Sequence, residues 1–392
     1  MPFVVHLLGL AVFAQGTSEF MLSGLVPGIA RDMRVSIPTA GLLTSAFAVG
    51  MVVGAPLMAI LSLRWSRRRS LLTFLIVFLL VHVLGAVTTS FGVLLATRVA
   101  GALAGAGFLA VALATAAGMV APHAKGRATS VLLGGITIAC VVGVPAGALL
   151  GQLWGWRSAF WAVAVLSVPA VVAILRAVPA GGSGSARPSV RGELGALRDR
   201  RLLVTLLLGA LVNGGTFCTF TYLAPLVTGV SGIESAWVPA VLALFGLGSF
   251  LGVTVGGRIA DTRPVPFLVA GGVALLIGWV LFAMIAENPV AAIVLVFVQG
   301  TLAFAVGSVL ISRALYAATG APTLAGGFAT AAFNVGAAIG PWLGGIPIGA
   351  GLGHRSPLWV SALLVALALL AAGGAEMVRR GTADPHEDPA MT

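Results

Sequence analysis

The chain contains very few charged residues. Only 8% of its 392 residues are Asp, Glu, Lys or Arg, whereas a soluble globular domain carries about 25%. Apolar residues make up 59% of the sequence. Too few polar side chains remain to cover such a chain in water, which excludes a water-soluble globule. The composition therefore predicts a polytopic membrane protein.

Lysine, cysteine and histidine are also scarce, and each shortage excludes a class of function. The single lysine, Lys125, lies in Ala-Lys-Gly and not in the Gly-x4-Gly-Lys sequence with which a P-loop holds phosphates. The two cysteines, Cys140 and Cys218, provide neither a disulfide framework nor a metal-ligand spacing. The five histidines are scattered, and the sequence contains no HExxH. We therefore expect no ATP-driven pumping by this chain, no enzymatic activity, no cofactor and no bound metal.

Long apolar stretches predict twelve membrane spans. Their expected positions are 4–27, 38–62, 71–89, 92–117, 128–151, 158–176, 202–228, 236–257, 265–285, 289–311, 323–348 and 356–377. The longest hydrophilic interruption combines glycines, serines and five arginines, which predicts a flexible cytoplasmic linker over 179–201. We expect an N-terminal six-helix half over 1–178, a C-terminal six-helix half over 202–378 and a cytoplasmic tail over 379–392.

The formal net charge of +11 is explained by orientation in the membrane. With both termini in the cytoplasm, seventeen of the 22 basic residues fall in inner segments and four in outer ones, while Arg98 falls inside a span. This distribution satisfies the positive-inside rule. We therefore expect a multi-pass protein of the cell membrane, with cytoplasmic termini and no nucleic-acid partner.

Glycines recur every four residues in the predicted spans 2, 5, 8 and 11. They are Gly50 and Gly54; Gly143, Gly147 and Gly151; Gly248, Gly252 and Gly256; and Gly336, Gly340 and Gly344. This spacing places small residues on one helix face, where two backbones approach closely. Because the ladders fall on the second and fifth spans of each half, the halves are expected to be parallel repeats. The predicted fold is an all-α membrane protein with twelve helices in two pseudo-symmetric halves.

Several motifs resemble those of the major facilitator superfamily, specifically its twelve-span drug:proton antiporters. They are the antiporter motif Gly143-Val-Pro145-Ala-Gly147, its partner Gly336-x3-Gly340-Pro341-x2-Gly344-Gly345, and Gly155-Trp156-Arg157-x-x-Phe160. Three further stretches, 16–24, 221–225 and 333–336, are similar to the chloramphenicol and sugar exporters, and among them to actinobacterial chloramphenicol-resistance exporters. The resemblance covers essentially the whole chain.

The gating motif of the family is Gly-x3-Asp followed by basic residues. This chain has a similar pattern between spans 8 and 9, at Gly257, Asp261 and Arg263. The matching positions after span 2 are Ala59 and Leu63, so the first half departs from the pattern. In the family this aspartate pairs with helix ends and steadies the outward-open state.

Glu19 and Arg98 are the charged residues placed in the interior of predicted spans, and the other ten of the eleven acids map to loops, span ends or tails. A charge at the bilayer centre costs about 2.5 to more than 10 kcal/mol, so a residue kept there is usually functional. Burial disfavours the charged form of a carboxyl group, which suits Glu19 for carrying a proton. The alternative is a permanently protonated carboxyl bonded to a neighbouring helix.

The resemblance implies that Arg98 takes part in proton transfer or stabilises a charged intermediate. The alternative for Arg98 is a structural cation held by backbone carbonyls. His82, isolated in span 3, is expected to have a packing or interface role.

Transporters of this type bind substrate near the midplane between their halves. A mostly apolar pocket with a few polar groups suits a drug-sized ligand. The candidate substrate-binding residues are Gln15, Asn213, Phe217, Phe220, Tyr222, Gln299, Phe333 and Asn334.

The resemblance implies proton-coupled efflux of a small drug-like molecule by a monomer in the lipid bilayer, with chloramphenicol as the leading substrate. Export of a sugar or nucleoside-like metabolite by the same mechanism is the first alternative. A membrane sensor or channel that moves no substrate uphill is an alternative of a different class.

Overall fold

The computed structural model describes residues 2–62, 65–121, 125–178, 194–260, 264–317 and 325–382. Within these ranges all regular secondary structure is helical, and twelve helices are long and apolar enough to cross a membrane. The predicted all-α class and the twelve spans are confirmed. Because the number of crossings is even, the first helix begins and the last helix ends on the same face of the bundle. We call this the terminal face and the opposite one the distal face.

The helices follow the predicted spans closely. In the first half they are Phe3–Phe20 and Leu22–Met33 (span 1), Ile37–Ser62 (2), Arg67–Val87 (3), Phe91–Gly118 (4), Lys125–Ile138, Ala139–Gly143 and Val144–Trp154 (5), and Arg157–Ala177 (6). In the second half they are Arg200–Thr221 and Leu223–Gly229 (span 7), Val238–Ala260 (8), Pro264–Ile285 (9), Pro289–Ala317 (10), Ala325–Gly349 (11) and Ser356–Thr382 (12).

The predicted linker and tail are described only in part. Residues 179–193 of the linker and 383–392 of the tail lie outside the described residues. The described end of the linker contains a short 3-10 helix, Leu194–Arg198. The helix of span 12 continues to Thr382, past the boundary predicted at 378.

Spans 1 and 7 are each interrupted near their distal end. The breaks fall at Met21 and Tyr222, and prolines follow them at Pro27 and Pro225. Proline lacks a backbone N–H, and its ring clashes with the carbonyl four residues earlier, which for Pro225 is that of Thr221. The two breaks lie at equivalent places in the two halves.

Each glycine ladder packs against one particular span of its own half. In the first half, the glycines of span 2 (Gly50, Gly54) lie against Val99 and Leu103 of span 4, and those of span 5 (Gly147, Gly151) lie against Met21 and Leu25 of span 1. In the second half, the glycines of span 8 (Gly248, Gly252) lie against Phe297 and Thr301 of span 10, and those of span 11 (Gly336, Gly340) lie against Ala210 and Gly214 of span 7. Span 2 thus pairs with span 4 as span 8 does with span 10, and span 5 pairs with span 1 as span 11 does with span 7. Equivalent pairs are what two parallel repeats require.

We expect Gly252→Val to destabilise the protein by about 1–3 kcal/mol, which is the usual cost of overpacking. A Cβ at Gly252 would overlap the Thr301 carbonyl and lie 2.9 Å from the backbone nitrogen of Ala305. The measurement is thermal unfolding of the purified protein in detergent. Gly257→Val on the same helix is the matched control, because nothing lies within 4 Å of an added Cβ there. Equal melting temperatures for the two variants would contradict the packing.

The distal face shows a repeat that the sequence analysis missed. Residues 155–158 read Gly-Trp-Arg-Ser and residues 353–356 read Gly-His-Arg-Ser. Both glycines have positive φ, 80° and 76°, and both serine hydroxyls donate to the glycine carbonyl at 2.7 Å. Arg157 pairs with Asp32, and Arg355 pairs with Glu287. Hydrogen bonds from Arg157 and from the indole of Trp156 lower the pKa of Asp32.

Candidate functional site

The two halves meet around a cavity lined mainly by aromatic side chains. The free space between its walls is only about 10 Å³ in this conformation, roughly the room that one water molecule needs. Its lining residues are Phe20 and Cys140 from the first half and Thr216, Phe217, Phe220, Phe245 and Phe304 from the second. The walls are therefore apolar, with one hydroxyl and one thiol.

The phenylalanine rings of this cavity form one connected cluster. Phe20 lies 5.7 Å from Phe217 and meets Phe220 edge-on, with centroids 6.5 Å apart. Phe220 stacks on Phe245 at 4.6 Å, and Phe245 contacts Phe304 at 6.1 Å. Aromatic pairs favour such offset and edge-to-face contacts. A flat aromatic ring of a ligand has matching partners here from both halves.

Glu19 does not line the cavity itself, but it precedes Phe20 and lies within electrostatic range of Cys140, two residues that do. Its side chain is half-buried. Within the described residues it takes part in no hydrogen bond and in no ion pair within 4.0 Å, although Arg98 is near enough to attract it electrostatically. The bond to a neighbouring helix that one alternative required is not present there. The carboxyl group is left without a fixed partner beside the cavity.

Arg98 is fully buried and bonds to the residue immediately before Glu19. Its Nη1 donates to Ser18 Oγ at 2.8 Å, and its Nη2 donates to the Ser18 carbonyl at 2.7 Å. The guanidinium carbon lies 4.4 Å from the centroid of the Phe47 ring, a cation–π contact. The guanidinium is thus held by the hydroxyl and carbonyl of Ser18 and by the Phe47 ring, and Ser18 directly precedes Glu19 in the sequence.

His82 continues this chain of hydrogen bonds. Its Nε2 lies 2.7 Å from Ser18 Oγ, and its Nδ1 lies 2.7 Å from the carbonyl oxygen of Phe78. The ring also packs on Phe78 at 4.2 Å and on Phe160 at 5.8 Å. The expected packing role is therefore only part of what His82 does. The sequence carried no signal for the rest, because Ser18 is 64 residues away.

Comparison with known proteins identifies the family of this chain. Residues 8–326 match the sequence pattern of the Major Facilitator Superfamily. The chain belongs to the major facilitator superfamily. Its twelve spans and this superfamily, one of membrane transporters, make it a multi-pass membrane protein.

The chain is similar in sequence to two proteins with named functions and similar in fold to a solved structure. The chain is 56% identical to a chloramphenicol resistance protein of Streptomyces lividans, over 95% of this chain and 96% of the relative. It is 30% identical to a chloramphenicol efflux pump of Mycobacterium tuberculosis, over 87% and 85% of the two chains. A bacterial homologue of the human lysosomal transporter Spinster shares the fold, with a TM-score of 0.78 at 17% identity over 96% of each chain.

Of the eight predicted substrate residues, the structure brings only Phe217 and Phe220 to the aromatic cavity of this superfamily member. Asn213, Phe333 and Asn334 instead form a contact between spans 7 and 11. The Asn213 amide donates to the Phe333 carbonyl at 2.7 Å, and the Asn334 amide donates to Thr330 within its own helix at 3.0 Å. The side-chain amides of Asn213 and Asn334 therefore both have a hydrogen-bond partner inside the protein.

Gln15 and Gln299 are buried next to glycines of neighbouring spans. Gln15 faces Gly105, and Gln299 lies over Gly278 and donates to the Leu275 carbonyl at 3.1 Å. Gln299 also lines a second small cavity, which shares Phe220 and Phe245 with the first.

Tyr222 does not line the cavity; it is fully buried at the distal contact between the halves. Its hydroxyl donates to the Pro341 carbonyl at 2.8 Å. A Cβ added to Gly41 of span 2 would come within 2.8 Å of its ring carbons, and one added to Gly345 would lie 2.8 Å from its hydroxyl. Gln152 at the distal end of span 5 donates to the carbonyl of Ser235 before span 8. The distal face is therefore closed in this structure.

The antiporter motif lies where span 5 is irregular. Gly143 ends the π-helical segment Ala139–Gly143, and Pro145 follows in the first turn of the next helix. Proline removes one backbone donor, and π-segments inside helices are frequent at functional sites. Gly143 and Gly147 pack on Thr17 and Met21 of span 1, either side of Glu19. The irregular segment also contains Cys140, which lines the cavity.

The gating motif is described only at its first residue. Gly257 lies near the terminal end of span 8, where nothing lies within 4 Å of an added Cβ. Asp261 and Arg263 lie outside the described residues.

Proposed function

We propose that this protein exports chloramphenicol, or a closely similar aromatic drug, from the cell in exchange for protons. The observation that carries the proposal is a carboxyl group without a fixed partner, Glu19, beside an aromatic cavity at the junction of the two halves. The two relatives named for chloramphenicol resistance and efflux support the choice of substrate. Glu19 is the proton carrier, and the phenylalanine cluster binds the aromatic part of the drug.

The chemistry of the cavity favours a drug over a sugar. Its polar groups are the hydroxyl of Thr216 and the thiol of Cys140. A buried hydroxyl without a hydrogen-bond partner costs about 1–3 kcal/mol. A polyol would leave several hydroxyls unpaired against the phenylalanine rings, whereas a drug with an aromatic ring can place that ring, and not its polar groups, against them.

Arg98 adjusts the charge of the site without pairing directly with Glu19. With Ser18 holding the guanidinium, a deprotonated Glu19 keeps a cation nearby while its oxygens stay free to accept a proton. Each charge that crosses the membrane gains about 2.3 kcal/mol per 100 mV. At roughly 150 mV, exchange of one proton for one neutral drug molecule sustains a gradient of about 300-fold.

The terminal face is the cytoplasmic one in this proposal. Its described helix ends carry Arg67, Arg68, Arg69, Arg176, Arg200, Arg201 and Arg258, whereas the distal ends carry Arg31, Arg34, Arg157 and Arg355. This follows the positive-inside rule. The protein acts as a monomer in the cell membrane, with halves 1–178 and 202–378 joined by a cytoplasmic linker. The present conformation, whose distal face is closed, is then closed to the outside.

Gly257 lies at the cytoplasmic end of span 8 in this orientation, and Asp261 and Arg263 of the gating motif follow it in the sequence. There the gating motif steadies the state that is open to the outside. Gln15, Asn213, Gln299, Phe333 and Asn334 are assigned to the walls that the substrate contacts as the halves move.

Expression in a susceptible bacterial host tests the function. We expect raised chloramphenicol tolerance and lowered accumulation, with accumulation restored by a protonophore. A host with the empty vector is the control, and membrane expression is verified in each strain. Unchanged tolerance despite expression would contradict drug export, and export that continues after collapse of the proton gradient would contradict the coupling.

A further inference from the structure

We propose that His82 is a positioning residue for the proton-coupling site. Through the hydroxyl of Ser18 it keeps Arg98 on the Ser18 carbonyl and away from the carboxylate of Glu19. The proposal rests on the proposed proton-coupled function and assigns to His82 a role that neither its sequence context nor the family motifs indicate.

The hydrogen-bond chain has only one consistent direction. The Phe78 carbonyl can only accept, so His82 Nδ1 carries the proton that bonds it at 2.7 Å. In the neutral ring, Nε2 is then an acceptor and receives the hydroxyl proton of Ser18, also at 2.7 Å. The lone pairs of Ser18 Oγ are thereby directed to Arg98 Nη1, which donates to it at 2.8 Å.

The packing around His82 fixes the ring in this position. Its ring lies between Phe78 and Phe160, and its Cε1 would lie 3.6 Å from a Cβ added to Gly101, three residues after Arg98. The imidazole is 3% exposed. A side chain so confined can orient Ser18 without taking part in the chemistry.

Removal of the acceptor at position 82 loosens Arg98, because, in the part of the chain that the structure describes, only its bond to the Ser18 carbonyl and its contact with Phe47 then hold it. A serine hydroxyl without a side-chain acceptor turns to the carbonyl of its own helix, four residues back. Ser18 Oγ would then leave Nη1, while Nε of Arg98 already lacks a partner within the described residues. The freed guanidinium would swing toward Glu19, the charged group that faces it from span 1. A direct ion pair would compete with protonation and slow the transport cycle.

Transport by purified variants in proteoliposomes tests the role. We expect His82→Leu to bind chloramphenicol within about twofold of the wild-type affinity but to run proton-driven transport about tenfold slower. His82→Gln, whose side-chain oxygen can accept from Ser18, should recover most of the rate. Ser18→Ala should match His82→Leu, and the double variant should be no slower than either single one, because both break the same chain. His6→Leu, at an exposed position near the chain start, is the matched control.

Nitrogen NMR of labelled histidine provides a readout that does not depend on transport. The His82 signal, assigned by its loss in His82→Gln, should show a protonated Nδ1 and a hydrogen-bonded, unprotonated Nε2 that shifts in Ser18→Ala. A protonated Nε2, an Nε2 signal unaffected by Ser18→Ala, or a His82→Leu protein with the wild-type rate would overturn the role of His82. Absence of proton-coupled transport in the wild type, with the expected NMR signals, would instead contradict the proposed function.

Discussion

Glu19→Gln should abolish uphill export of chloramphenicol while leaving drug binding intact. Glutamine has the shape of the protonated carboxyl but cannot release a proton, so the variant remains in the protonated-like state. Because Glu19 has no hydrogen bond or ion pair within the described residues, the substitution breaks no contact of the fold. We therefore expect a wild-type melting temperature together with loss of coupling.

The size of this effect follows from the driving force. A coupled exchanger at roughly 150 mV sustains a drug gradient of about 300-fold, whereas an uncoupled one sustains none. Drug accumulation in inverted membrane vesicles measures that gradient, and exchange of labelled for unlabelled drug measures binding and movement without coupling. Glu234→Gln, an exposed acid at the distal end of span 8, is the control. Full accumulation by Glu19→Gln would show that the carboxyl group is structural.

Gly41→Val should hold the distal face open and stop the transport cycle. In the structure the Tyr222 ring occupies the space that a side chain at Gly41 would need, with Cε1 and Cζ each 2.8 Å from an added Cβ. Overpacking costs about 1–3 kcal/mol, and each 1.4 kcal/mol changes an equilibrium tenfold. The closed distal face should therefore lose about 5- to 150-fold in population relative to the open one.

Cys140 reports this shift directly, because it lines the cavity while Cys218 is fully buried. A membrane-impermeant thiol reagent applied from the distal side should label Cys140 faster in Gly41→Val than in the wild type. Gly373→Val is the control, since nothing lies within 4 Å of an added Cβ there. Tyr222→Ala in the Gly41→Val background should restore closure and part of the transport rate. Labelling that is slow and unchanged would contradict the proposed contact.

The helices and their pairing were predictable because they depend on local patterns. Apolar stretches fix the twelve spans, and a four-residue glycine spacing fixes which faces approach, as Gly252 against span 10 illustrates. The breaks in spans 1 and 7 were not predicted, although Pro27 and Pro225 are visible in the sequence. A comparison of the two halves at a fixed offset would also have paired residues 155–158 with 353–356.

The site itself was only partly predictable, because it depends on contacts between distant spans. Glu19 was identified by its charge in an apolar stretch, and Phe217 by its position in span 7. Phe245 and Phe304 carry no such signal, since a phenylalanine in a membrane span is ordinary. The sequence likewise contained no signal for His82, because its partner Ser18 lies 64 residues away and meets it only in the folded protein.

Proton movement driven by a drug gradient is the most direct test of proton-coupled export. Purified protein is placed in liposomes that contain a pH-sensitive dye, and a chloramphenicol gradient is imposed without any initial pH gradient. We predict that protons move opposite to the drug, that a protonophore dissipates the resulting pH change, and that Glu19→Gln shows drug exchange without proton movement. Drug flux through the wild-type protein with no accompanying change in pH would contradict the account.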